Sequence, residues 1–181
     1  MGYSWIVDQG VPVVWHPWMS NRVLVPRHSF FIWLTVQNRL LTQDRLCKMK
    51  IIQENRCFLC GVDEENIEHL FFECCYAKKC LELVRIWLQV DIPVNLVLSW
   101  WVKKKMHSLL IKHILGAVIA SLMYHLWQAR NQSRIDHYVP RPERLIQCIR
   151  NEVLARVRGK SLILKSQLAR VWIENCLSRV I

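Results

Sequence analysis

Glycine is scarce in this chain, with five in 181 residues, and strict alternation of apolar and polar residues is almost absent. The first shortage leaves no glycine-rich loop to cradle a phosphate, and the second removes the signal of half-buried strands. Acidic side chains are also few, 14 against 25 Lys and Arg, for a formal net charge of +11. That balance says nothing about fold, but it favours a polyanionic partner, either nucleic acid or an acidic membrane surface. The N-terminal run MGYSWIVDQGVPVVW lacks a basic segment followed by an apolar one. No export signal is therefore expected; the thiols should stay reduced, and the expected location is intracellular, the nucleus included. The most apolar stretch, ILGAVIASLM at 114–123, is bounded by Lys112, His113 and His125. It is shorter than the roughly 20 residues a membrane span needs, so it reads as a core helix and no membrane partner is expected. Neither a nucleophile elbow nor a paired carboxylate stands out, and catalysis is not expected. Internal repeats and low-complexity tracts are missing as well.

What is present is helical periodicity in a chain that is 52% hydrophobic. Residues 1–25 are rich in Trp, Val and Pro without a clear period and read as an irregular segment. Pro26 suits the first turn of a helix running to about Leu40, with Phe30, Phe31, Trp33, Leu34 and Leu41 as its apolar face. Thr42 reads as the N-cap of a short second helix, Asp44 sits in its first turn, and Leu46 and Met49 are expected to pack inward. A helical pattern from Glu64 to Val90 has a break near Cys74 and Cys75 and ends at Pro93. A Trp-rich helix over 95–105 ends in Lys103, Lys104 and Lys105. The spacing then predicts a long helix from Ser108 to Asp136, stopped by Val139-Pro140-Arg141-Pro142. Two further helices, 142–158 and 161–178, are separated by Gly159. The expected fold is mainly α: a small module at 26–90, clasped by the side chains considered next, packed on a helical bundle from 95 to 181.

Eight cysteines make redox chemistry or metal binding the next question. One group has metal-ligand spacing, Cys57-x2-Cys60-x8-His69-x4-Cys74. Zinc takes thiolate and imidazole donors in a tetrahedron, and two cysteines three positions apart can reach one ion from a single turn. Gly61 directly follows Cys60, where a tight turn around a metal calls for a residue tolerant of positive φ. Four such ligands leave no open coordination position, so one structural Zn2+ is expected rather than a catalytic one. Cys75 is adjacent to Cys74 and competes with it as fourth ligand. Cys47, Cys80, Cys148 and Cys176 have no matching spacing and read, with Cys75, as buried or incidental thiols.

The same region carries a resemblance. Trp33-Leu34, Arg39-Leu40, Thr42, Arg45-Leu46, Cys57, Cys60-Gly61, Glu65, His69-Leu70-Phe71, Cys74 and Trp127-x-x-Arg130-Asn131 resemble the zinc-binding domain that follows the polymerase in plant LINE-type (non-LTR) retrotransposon reverse transcriptases. The resemblance covers about residues 26–131. In that family a proline usually follows the last cysteine ligand, which implies Cys74 as the ligand and Cys75 as the substitution; Leu41 replaces another common proline. No Tyr-x-Asp-Asp polymerase motif and no acidic quartet of a ribonuclease H domain is recognisable. The resemblance thus implies a non-catalytic accessory piece, a fragment or detached copy of a retrotransposon protein, with RNA, DNA or a polymerase domain as partner.

Charge is unevenly spread. Residues 21–56 hold seven basic and two acidic side chains, a net +5, whereas 63–82 hold two basic and six acidic, a net −4, and 134–170 return to +6. Phosphate contacts are therefore expected from Arg39, Arg45, Lys48, Lys50 and Arg56, or from the C-terminal helices, with the zinc positioning those arms. Phe58, between the first two cysteines, has two readings: a base-stacking aromatic or a packing residue. Most of the tryptophans at 33, 87, 100, 101, 127 and 172 are expected in the core. A protein–protein docking module, or a retroelement relic, is the alternative to nucleic-acid binding.

Overall fold

The computed structural model describes residues 18, 21–93, 108–158 and 167–178. The order is α1 (Pro26–Val36), α2 (Gln43–Lys48), a π-helical turn (His69–Glu73), α3 (Cys75–Leu88), α4 (Leu109–Asp136), α5 (Pro142–Arg158) and α6 (Gln167–Ser178). No strand occurs among the described residues, and the fold is mainly α. The expected Trp-rich helix with Lys103, Lys104 and Lys105, and the linker glycine Gly159, lie outside the described residues.

Local chemistry accounts for most of the boundaries. Proline opens both α1 and α5, where its missing N–H leaves no helical bond unmade. Helix α1 stops at Val36, four residues short of the expectation. Asn38 adopts φ +52° there, with Asn38 N–H donating to Thr35 and Arg39 N–H to Leu34. That is a Schellman closure, with asparagine in the left-handed position usually held by glycine. Ser108 caps α4 by accepting the Ile111 N–H, and His137 in a left-handed conformation ends it, just ahead of the proline pair.

Helix α4 is the axis of the fold. By length and mean hydropathy it would suffice to cross a membrane, yet its residues from Ile114 to Met123 are buried on every side. They pack against α1, α3, α5 and the π turn, the environment that an all-round apolar helix requires. Helix α3 presents an i, i+3, i+4 stripe instead: Tyr76, Ala77, Cys80, Val84, Trp87 and Leu88 are buried. Its Trp87 indole donates to the Cys176 carbonyl on α6 at 3.1 Å. One continuous apolar cluster runs from Trp18 and Leu24 through Cys57 and Cys74 to Ile173. The metal-ligand region and the C-terminal helices therefore share a core. The described part of the N-terminal segment joins it too, as the Asn21 amide donates to the His113 carbonyl on α4 and Arg156 donates to the Leu24 carbonyl.

Two expectations about side-chain direction are corrected. The buried residues of α1 are His28, Ser29, Phe31, Ile32 and Thr35, a face built on the i, i+3, i+4, i+7 spacing from His28; Phe30 is 56% exposed and Leu41 50% exposed. Met49 is 54% exposed while Leu46 is buried, because α2 ends at Lys48 and the chain reverses through Lys50 at φ +57°.

A polar cluster sits where α1, α4 and α5 meet. Glu152 accepts from His125 at 2.8 Å and lies 3.3 Å from Arg27 and 3.4 Å from the His28 ring. Burial pushes the His28 pKa down to about 4, against the pull of Glu152, with Arg27, His125 and Arg156 adding to the lowering. The unfolded imidazole, near 6.5, binds the proton more readily than the folded one. Stability from this group is complete above that value and falls as pH drops toward 4, by up to about 1.4 kcal/mol per pH unit. Urea unfolding at pH 7 and pH 5 should show wild type losing more stability than His28→Leu; equal losses would contradict this account.

Candidate metal centre

Three short segments bring the ligands together. Cys57 and Cys60 lie on one tight turn, closed by Gly61 N–H donating to the Cys57 carbonyl and Cys57 N–H donating to the Asp63 carbonyl, both at 2.8 Å. Gly61 has φ +70°, the left-handed conformation that glycine adopts without steric penalty. His69 and Cys74 are five positions apart, which on an α-helix would point them roughly 140° apart. The π turn widens that pitch. Cys74 N–H donates to the His69 carbonyl at 2.7 Å, and Asn66 accepts the His69 N–H at 2.7 Å.

The four donor atoms all lie within 4.8 Å of one another. Cys57 Sγ is 4.0 Å from Cys74 Sγ, and Cys60 Sγ is 3.4 Å from His69 Nε2. A tetrahedral zinc ion with bonds of about 2.0–2.3 Å has ligand–ligand edges of roughly 3.5–3.8 Å. The donor set and its spacing therefore fit one Zn2+, held through His69 Nε2 and three sulfurs. On the other ring nitrogen, His69 Nδ1 lies 4.0 Å from Oδ2 of the exposed Asp63, too far for a direct hydrogen bond. Cys57 and Cys74 are fully buried. The neighbouring Cys74 sulfur, reinforced by burial, pushes the Cys57 thiol strongly upward, and a bound divalent cation reverses that by stabilising the thiolates. Cys75 is exposed and outside the cluster, as is Cys148; Cys80 and Cys176 are buried in the core.

What holds this centre against the helices is a buried ion pair that sequence alone leaves unassigned. The Arg130 guanidinium on α4 donates to both Glu65 oxygens, Nε at 3.0 Å to each and Nη2 at 2.6 Å to Oε1. Glu65 is 0% and Arg130 2% exposed. Both partners make further bonds. Glu65 Oε1 also accepts the Gln43 N–H at 2.9 Å, capping α2, and its main chain bonds Asp44 and Asn55. Arg130 Nη1 reaches Asn131 at 2.9 Å, and the rings of Trp127 and Phe58 lie 5.0 and 5.8 Å from the guanidinium. Ser133 donates to the Phe58 carbonyl at 3.0 Å. Thus Phe58 is half-buried against Arg130. Glu65 and Trp127-x-x-Arg130-Asn131 are one contact, and their opposite charges were the only sequence signal of it.

The basic residues singled out from sequence are dispersed around this frame. Arg39, Lys48, Lys50 and Arg56 are exposed. Arg45 donates to the Asn38 carbonyl at the end of α1, and Lys48 is paired with Asp44 at 3.1 Å.

Purified protein should carry one zinc per chain, and Cys57→Ser or His69→Ala should melt at the temperature of chelator-treated wild type; melting with the metal-loaded wild type would refute a structural ion. Arg130→Ala leaves Glu65 as an uncompensated buried charge, so urea unfolding of the zinc-loaded protein should show a loss of about 3–5 kcal/mol. Arg130→Lys, which retains charge without the planar fork, should fall between.

Comparison with known proteins agrees with the geometry over part of the chain. No curated protein and no solved structure matches it. Residues 2–80, which contain all four ligands and Glu65 but not Arg130, match the family described as zinc-binding in reverse transcriptase.

Proposed function

We propose that this chain is a non-catalytic, zinc-clasped accessory domain of a non-LTR retrotransposon reverse transcriptase, of the kind found in plants, that helps to hold RNA or DNA. The observation that carries this reading is a stack on the outer face of α1. The exposed Phe30 ring lies 5.5 Å from Trp33 with the planes 23° apart, and the Arg39 guanidinium sits 5.4 Å from the Trp33 ring. Aromatic faces beside an arginine are what a single strand engages, bases on the rings and phosphates on the cation. Lys50 and Arg56 extend the positive surface along the same stretch of chain, whereas Glu64, Glu68 and Glu73 around the later ligands are exposed and repel phosphate. Three thiolates and an imidazole complete a tetrahedron, leaving no position where zinc could activate water or substrate. The zinc then acts through folding, by tying the cysteine turn that follows Arg56 to the π turn.

Docking onto a polymerase domain is favoured by a different observation. Leu41, Met49, Ile51 and Val62 are 50%, 54%, 59% and 77% exposed, an apolar content unusual for a solvated loop region.

Fluorescence anisotropy with single-stranded RNA separates the two. Affinity of the zinc-loaded chain should fall steeply with salt; Arg39→Ala and Lys50→Ala should each reduce the log–log salt slope by about 1, and Phe30→Ala should weaken binding without changing it. Absent or salt-insensitive binding, with solubility only beside a polymerase fragment, would replace this reading by docking.

A further inference from the structure

The four ligands of the metal centre differ in how far solvent reaches them. Cys57 and Cys74 are fully buried and His69 is 4% exposed, whereas Cys60 is partly exposed. The turn beyond it is open, since a side chain at Gly61 would meet no atom within 4 Å. Asp63 and Glu64, next along the chain, are exposed as well. A reagent arriving from water therefore meets Cys60 before the other two cysteine ligands.

Exposure alone does not single out a cysteine, because Cys75 and Cys148 are exposed too. Ionisation separates them. The thiolate is the nucleophile in sulfur chemistry, and coordination to a divalent ion holds a ligand cysteine in that form. Cys75 and Cys148 lie outside the cluster and gain nothing from it. Cys60 also has partners: the sulfurs of Cys57 and Cys74 both lie within 4.8 Å of its own. They are within reach of a short movement of the turn, and no regular helix has to be undone to bring Cys57 and Cys60 together.

We infer that Cys60 is an oxidation site for small hydroperoxides, and that its oxidation opens the zinc clasp. The Cys60 thiolate attacks one peroxide oxygen and the O–O bond breaks. Cys60 becomes a sulfenic acid, and the other oxygen leaves as hydroxide or alkoxide and takes a proton from water. A thiolate of Cys57 or Cys74 then attacks the Cys60 sulfur, the S–O bond breaks, and hydroxide leaves as the disulfide forms. Two electrons pass from the two sulfurs to the peroxide. One sulfur and His69 are left, too few donors for a four-coordinate structural site. The tie between the cysteine turn and the π turn is lost, together with the folding free energy that metal binding supplied. A partly exposed sulfur on a tight turn admits an oxidant little larger than water more readily than a bulky disulfide. The inference rests on the metal centre and is independent of what the basic surface binds.

The test treats the zinc-loaded full chain with hydrogen peroxide, follows zinc release with a chromogenic chelator, and traps sulfenic acid with dimedone for peptide mapping. Early in the reaction the trap should mark Cys60. The end product should carry a disulfide from Cys60 to Cys57 or Cys74 and melt at the temperature of chelator-treated protein. Cys60→His keeps a Cys2His2 donor set without the exposed sulfur, and should release zinc at least about tenfold more slowly. Cys75→Ser should release it at the wild-type rate. A trap found first on Cys75 or Cys148 with zinc retained, or a Cys60→His protein losing zinc as fast as wild type, would overturn the inference. Where Cys60→His fails to take up zinc, the trap on the wild type decides alone. Wild type isolated without zinc would overturn the metal centre itself.

Discussion

The ion pair between Glu65 and Arg130 is the contact on which this architecture depends. It joins residues 65 positions apart, and it sits where the cysteine turn, the start of α2 and the long helix α4 converge. Net, a buried pair of this kind adds little to stability, because desolvating two charges consumes most of the Coulombic gain. Its consequence is geometric. A planar fork meeting a carboxylate on two edges has one workable arrangement, so α4 can take only one register against the metal turn. Trp127 and Phe58 shield the guanidinium, Asn131 accepts from its Nη1, and Glu65 still has a lone pair for the α2 amide.

Zinc and the ion pair divide the work between range scales. The ion would tie together four side chains within an 18-residue stretch, which is too short and too acidic to bury a core of its own. A preformed site does not exist in an unfolded chain, so metal binding energy goes directly into folding that stretch. The ion pair and the shared apolar cluster then carry the order outward to α3, α4 and α5. The π turn is the local adjustment that makes this possible, trading regular helix for a pitch that lets His69 and Cys74 face one point.

Surface chemistry follows from the same frame. With α4 wrapped by apolar neighbours, exposed basic groups stand on α1 and the chain leading to Cys57 (Arg27, Arg39, Lys48, Lys50, Arg56) and again from the end of α4 through α5 (Arg134, Arg141, Arg144, Arg158). The acidic residues cluster around the later ligands, and three thiolates would add negative charge to that side when bound to a divalent ion. This part of the chain is thus electrically divided, net +5 over residues 21–56 and −4 over 63–82.

Much of this was legible in the chain. Four ligands with zinc spacing, a glycine in the turn after the second, a helix from Ser108 to Asp136 and a proline-led helix from 142 to 158 all follow from local rules: donor chemistry, capping, and the absence of an N–H on proline. The burial of Phe31 and Leu46 was legible too, whereas Phe30, Leu41 and Met49 were assigned to the wrong side. An apolar residue carries no label for its face when a helix ends a turn early, and the Asn38 closure that ends α1 depends on backbone bonds made only in place. The partnership of Glu65 with Arg130 could not be read from sequence spacing. It arises from where α4 crosses the metal turn, and such long-range juxtapositions are decided by packing. The ligands and the described helices were legible in the residues because donor chemistry and capping act locally; which charges meet was settled by packing, because burial, rather than composition, dictates which polar groups must find a partner.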